Sequence, residues 1–281
     1  MAGAGGTERA ALRRALDELD ARLAADADRG PGARRRFEPL VERLRTPAAA
    51  FLRAELEQRL ARHVDADDSF ARDHMAHALA GACGRDALPA LLRAMVTDRN
   101  DDGDSLQLDV LELFEAWPET SLDLALDFSV SDDPGMRRVG LWGLCVIDPA
   151  GTRYFGRVAD AARDPDPGVR ADVMSTLGTL FGTGDPARAL AVLTTGTKDA
   201  APGVRRAAVA ALGSSREDTV TDVVVACAGD TDRRVRYWVA WSLARRPAPE
   251  ARAALERLTT DQDADVREAA RRALAPPVTW P

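Results

Sequence analysis

Residues 230–244 read DTDRRVRYWVAWSLA, and the same register recurs at 164–178 (DPDPGVRADVMSTLG), 199–213 (DAAPGVRRAAVAALG) and 261–275 (DQDADVREAARRALA). Aligned on Val169, Val204, Val235 and Val266, each copy has arginine next, an apolar or small residue at +4 and leucine at +8. Three looser copies lie upstream, anchored on Met136, Leu106 and Phe70. Successive anchors are 36, 30, 33, 35, 31 and 31 residues apart, a period that signals a stacked array. Positions 0, +4 and +8 share one helical stripe, so each segment is an amphipathic helix. An Asp or Ser just upstream, often with Pro-Gly, supplies a turn and an N-cap. Further helical stretches fill the intervals, such as DPARALAVLTTG from Asp185 and EDTVTDVVVACAG from Glu217. A helix–turn–helix unit of this size cannot bury its own stripe; stacking against neighbours does, and the product is an all-α solenoid.

The pattern D-x-D-x-x-V-R-x-x-A-x-x-A-L-G resembles the HEAT repeat in its short bacterial, PBS-lyase-like form, over about residues 48–275. The resemblance implies a right-handed α-solenoid of about seven helix pairs. It also implies a ladder in which the arginine after each anchor reaches an aspartate of an adjacent turn. Arg137, Arg170, Arg205, Arg236 and Arg267 match that arginine, whereas Gln107 and Ala71 depart from it. The expected organisation is 1–46 as N-terminal capping helices with a Gly/Arg-rich hinge, 47–276 as solenoid and 277–281 as tail. Within the first segment, a capping helix over 7–26 precedes the hinge DRGPGARRRF and a short helix near 38–44.

Composition sets limits. The 281 residues are 46% hydrophobic and 30% charged, enough apolar material to fold. The apolar runs are short and interrupted, and MAGAGGTERAALRR lacks the apolar core of a secretory signal. Cys83, Cys145 and Cys227 are odd in number and widely separated, so no disulfide framework or zinc motif is expected and the cytoplasm is the natural compartment. Net charge is −7, unevenly spread: residues 65–135 carry 4 basic against 17 acidic side chains, net −13. Such a block repels a phosphate backbone, so neither nucleic acid nor membrane is expected as partner.

In HEAT-like repeats the second helix of each unit lines the concave face, so positions +2, +3 and +6 should face the groove. They place Arg72, Asp73, Leu108, Asp109, Glu112, Arg138, Trp142, Asp172, Ser175, Arg206, Tyr237, Trp238 and Trp241 there. Tryptophan beside arginine is typical of binding hot spots, although curvature or a neighbouring helix could cover these rings. Trp117 and Trp280 fall in a turn and a tail and read as packing or caps.

The stretch 98–109, DRNDDGDSLQLD, resembles an EF-hand calcium loop, with Asp98, Asn100, Asp102, Asp104 and Asp109 at ligand positions and Gly103 at the sixth. Ser105 at position eight and the short Asp109 at position twelve depart from the pattern. The alternative is an acidic inter-helix turn with Asp104 as N-cap and Gln107 three residues on, and it is preferred. His74 and His77 are three apart on one helix, but His74 occupies a core position and no His-Glu dyad accompanies it, so both read as structural. No nucleophile elbow, Walker loop or dinucleotide fingerprint occurs, and GTLFGTG from Gly178 follows a helix rather than a strand.

The sequence therefore reads as a non-enzymatic protein-binding scaffold, its oligomeric state open with a monomer favoured. Its acidic N-terminal half and its Trp/Arg C-terminal half would engage a protein with a basic surface. An immunity or antitoxin-like protein occluding a basic toxin is one version of this reading. The rival class is an enzyme on the same fold. One form is a DNA-base glycosylase, whose residue set Trp142, Asp172, Trp238 and Trp241 loosely mimics; the other is a bilin-lyase relative.

Overall fold

The computed structural model describes residues 2–26, 28, 32–96, 105–179, 185–215 and 218–275. Among them every regular element is a helix, and the chain packs as two compact units, 1–143 and 144–281, divided within one helix. Unit 1 holds α1 (Ala2–Ala25), α2 (Arg34–Leu44), α3 (Arg53–Asp65), α4 (Ser69–Cys83), α5 (Leu88–Val96), α6 (Ser105–Ala116) and α7 (Pro118–Phe128), and α8 (Pro134–Ile147) spans the division. Unit 2 continues with α9 (Phe155–Asp160), α10 (Pro167–Thr179), α11 (Pro186–Gly196), α12 (Pro202–Ser214), α13 (Thr221–Ala226), α14 (Arg233–Leu243), α15 (Pro249–Leu258) and α16 (Ala264–Leu274).

In unit 2 the anchor helices stack in series, α10 on α12, α12 on α14 and α14 on α16, while α11, α13 and α15 pack behind them. This is the all-α solenoid that the repeat predicts. The anchors Val169, Val204, Val235 and Val266 are fully buried, with Val173, Ala208, Val239 and Ala270 below them at +4. Leu177, Leu212 and Leu243 complete the stripe at +8, and Leu274 is half-buried.

The two aspartates of each D-x-D turn do different work. The second caps the helix: Asp166 accepts from the backbone N–H of Gly168 and Val169, Asp232 from Arg234 and Val235, and Asp263 from Asp265 and Val266. The first closes its own turn by accepting the N–H two residues on, as Asp199 does from Ala201, Asp230 from Asp232 and Asp261 from Asp263. It also receives a two-pronged guanidinium from the preceding repeat. Arg170 grips Asp199 at 2.8 and 2.8 Å, Arg205 grips Asp230 at 2.7 and 2.8 Å, and Arg236 grips Asp261 at 2.7 and 2.9 Å. The Nη1 of each arginine donates to carbonyls of its own turn, so one side chain straps two successive turns together. Arg137 and Arg267 make the same carbonyl contacts, to Ser131 and Asp132 and to Asp261 and Gln262.

In unit 1, α4 lies centrally, with α2, α3 and α6 packed around it. The capping helix begins at Ala2 rather than residue 7, and α2 begins at Arg34, inside the segment read as a hinge. Phe37, Leu40, Val41 and Leu44 are buried on one face of α2, a spacing that carries the helix back to the end of the Gly-Pro-Gly break. Among the described residues, no helix is long and apolar enough to cross a membrane.

Candidate functional site

A hollow lined by several residues expected on the inner face occurs in each unit. In unit 1 a cavity of about 510 Å³ opens between α2, α4 and α6. Asp73, His74 and His77 of α4 and Leu108, Asp109 and Glu112 of α6 meet Arg34, Glu38 and Glu42 of α2 there. Glu112 and Leu108 are exposed at the rim, as their +6 and +2 positions predict. Asp73 and Asp109, at +3, line the cavity but are buried at 5% and 4% exposure. Arg72, expected to face the groove, is buried as well and bonds Asp73 Oδ1 through Nε (3.0 Å) and Nη2 (2.7 Å). For Asp73 the reason is α2, whose Arg34 reaches it, whereas Arg72 lies among His63, Val64, Asp67 and Ser69, where α3 meets α4.

The other oxygen of Asp73 accepts from Arg34 Nη2 at 3.2 Å, and Arg34 Nη1 donates to Ser105 Oγ at 2.5 Å. Asp109 meets His77 Nδ1 through Oδ1 at 2.5 Å, tying α6 to α4, while its Oδ2 is enclosed and accepts from no described residue. His74 packs on Phe70 and Phe37, with ring centroids 4.5 and 5.3 Å away, and its Nδ1 donates to the Phe70 carbonyl at 2.7 Å. Burial pushes its pKa down, so it is a neutral core histidine.

In unit 2 a hollow of about 770 Å³ lies over α14 and α16 beside Arg206 of α12. Tyr237, Trp238 and Trp241 form an edge-to-face series along α14, with centroids 6.3 and then 5.1 Å apart. Tyr237 is 39% and Trp241 43% exposed, while Trp238 and Arg206 are half-buried. Across from the rings, Arg233 reaches Asp263 and Asp265, and Arg272 pairs with Glu268 along α16. Neighbouring helices therefore do not seal these rings.

The remaining candidates lie apart from both hollows. Arg138 is exposed, Trp142 is half-buried with its ring 5.9 Å from Phe114, Asp172 is half-buried and Ser175 is exposed. Trp117 keeps 42% exposure under the Arg85 guanidinium, 5.4 Å from its ring, and is more open than a packing residue. Asp98, Asn100, Asp102 and Asp104 of the calcium-like stretch, and Trp280, lie outside the described residues. Among the described residues no group of three or more His, Cys, Asp or Glu is arranged to hold a metal. Sequence reasoning missed Arg34, Glu38 and Glu42, although their i, i+4, i+8 spacing marks one stripe of α2. It also missed Asp263, Asp265 and Glu268 opposite the aromatic series.

This architecture defines an α-helical repeat protein of the solenoid class. Residues 190–275 match the family model for HEAT repeats, so that part of the chain is HEAT-repeat. No curated protein matches the chain. Among solved structures it is similar to an engineered protein at 17% identity, covering 78% of this chain and 95% of that one with a TM-score of 0.43. It is also similar to human deoxyhypusine hydroxylase in complex with glycerol (17% identity, 94% and 96% coverage, TM-score 0.37). A designed armadillo repeat protein in complex with the peptide (KR)4 is a third (13% identity, 92% and 97% coverage, TM-score 0.36). None of these likenesses bears on what the chain does.

Proposed function

We propose that this protein is a non-enzymatic interaction scaffold of the cytoplasm that binds a protein partner through two patches. The acidic cavity of unit 1 takes a basic surface of the partner, and the aromatic hollow of unit 2 takes side chains that stack on Tyr237, Trp238 and Trp241. The observation that carries the reading is the exposure of Tyr237 and Trp241, 39% and 43%, on a helix whose remaining apolar stripe is buried. Large rings left open beside arginine form the anchor type that dominates protein interfaces. The acidic block of residues 65–135, net −13, supports a basic partner by charge complementarity.

Affinity capture from extract of the source organism, with wild type beside Trp238→Ala/Trp241→Ala, tests this. The reading predicts a basic protein that is released by salt and lost in the double variant. A captured protein indifferent to both salt and the substitutions contradicts it.

A further inference from the structure

The hollow of unit 2 holds a charge imbalance that its own ion pairs leave in one corner. The acidic side chains that line it are engaged. Asp263 Oδ1 caps α16 by accepting from the N–H groups of Asp265 and Val266. Its Oδ2 and that of Asp265 lie 3.5 and 3.4 Å from Arg233, and Glu268 takes Arg272 at 2.8 Å. Arg206 and Arg234 line the same hollow, and among the described residues neither makes a hydrogen bond or an ion pair. Arg234 also stands in the first turn of α14, where the helix dipole is itself positive and the N-cap Asp232 is spent on the backbone N–H groups of Arg234 and Val235. Two cations without counter-charge thus flank the Tyr237 and Trp241 rings, which are 39% and 43% exposed. A carboxylate with an apolar side chain beside it satisfies both features at once.

We infer that the hollow of unit 2 binds an acidic segment of the partner, a carboxylate pairing with Arg206 and Arg234 while a neighbouring apolar side chain packs on Trp238 and Trp241. The inference deepens the scaffold reading and rests on it, giving the unit 2 patch a sign opposite to that of unit 1. Charge decides against the two other occupants that aromatic rings invite. A lysine or arginine stacked on the rings would meet Arg206 and Arg234 as like charge, and the acids that could receive it are already paired. A nucleic-acid strand could stack there too, but its successive phosphates would run past Asp263, Asp265 and Glu268. A single carboxylate needs the arginine corner alone. Guanidinium groups suit it, since each can offer a carboxylate two parallel donors.

The test is calorimetric titration of the full chain with a capped Gly-Glu-Phe-Glu-Gly peptide, beside its glutamine and lysine counterparts and a single-stranded oligothymidylate. Saturable binding of the acidic peptide is expected, about tenfold or more tighter than the glutamine peptide, with no saturable binding of the lysine peptide. Arg206→Gln/Arg234→Gln should weaken it about tenfold, and both positions lie outside the buried stripe, so the fold is spared. Trp241→Ala, at an exposed position, should weaken it by a similar factor of about tenfold. Glu112→Gln, in unit 1, should leave it unchanged. Absence of saturable binding, equal affinity for the glutamine or lysine peptide, tighter binding of the oligothymidylate, or indifference to the arginine substitutions overturns the inference. A partner captured through Trp238 and Trp241 that Arg206→Gln/Arg234→Gln still holds as tightly sinks this inference alone. Acidic-peptide binding with no protein captured from extract sinks the scaffold reading instead.

Discussion

Ala201 stands where three sister repeats have a capping aspartate, Asp166, Asp232 and Asp263. Its backbone is extended, as an N-cap should be, yet α12 starts without a side-chain cap. Ala201→Asp should therefore raise unfolding stability by about 1 kcal/mol, read as a higher urea midpoint at unchanged slope. An unchanged or lower midpoint would show that the caps are incidental. Local bonds of this kind are why the turns were legible in the sequence: each D-x-D contact closes within three residues, whereas the ladder spans 25 to 29 residues and was expected only from the resemblance to HEAT repeats. The burial of Asp73 was not legible, because it depends on α2, a helix outside the repeat.

Between elements, the glycine that ends the motif sets how close the stacked helices come. A Cβ on Gly178 would press into Ala211 of α12, and one on Gly213 would overlap Ser242 of α14. Gly213→Val should cost about 1–3 kcal/mol, whereas Gly203→Ala, with open space around it, should stay within about 0.5 kcal/mol. Equal effects in thermal melts would remove the packing argument. The ladder adds a pH dependence. Asp199 and Asp261 are held below the ordinary carboxylate range chiefly by the hydrogen bonds from Arg170 and Arg236. For Asp230 burial pushes upward, but the Arg205 bond and the Asp232 N–H together outweigh it. Because these folded-state pKa values are depressed, their stabilisation is complete above the unfolded value near 3.9. It is lost as pH falls through the lower folded values. The ladder's contribution should be flat from neutrality to about pH 5 and fall below about pH 4, less steeply in Asp230→Asn, whereas His74, with its lowered folded-state pKa, already costs stability below its unfolded value near 6.5. An unchanged acid limb in that variant would deny the ladder its role. Helix α2 shows the limit of reading elements from sequence: the Gly30-Pro31-Gly32 break hides how soon the helix resumes, and Arg34, Glu38 and Glu42 were overlooked with it.

For the molecule as a whole, the argument rests on charge and exposed rings rather than on reactive groups. Residues 65–135 carry the net negative charge, −13 against −7 for the whole chain, and the aromatic series lies in the other unit, so the two contributions to binding are separable by experiment. The charge asymmetry was legible from counting alone. That the rings stay open was not, because whether a +2, +3 or +6 side chain is covered depends on packing by helices far away in sequence. The most direct measurement is the affinity for the captured partner from about 50 to 500 mM salt, followed by tryptophan emission. The account predicts an affinity that falls steadily as salt rises, with an emission change that disappears in Trp238→Ala/Trp241→Ala. Affinity independent of salt, with emission unmoved on binding, would contradict it.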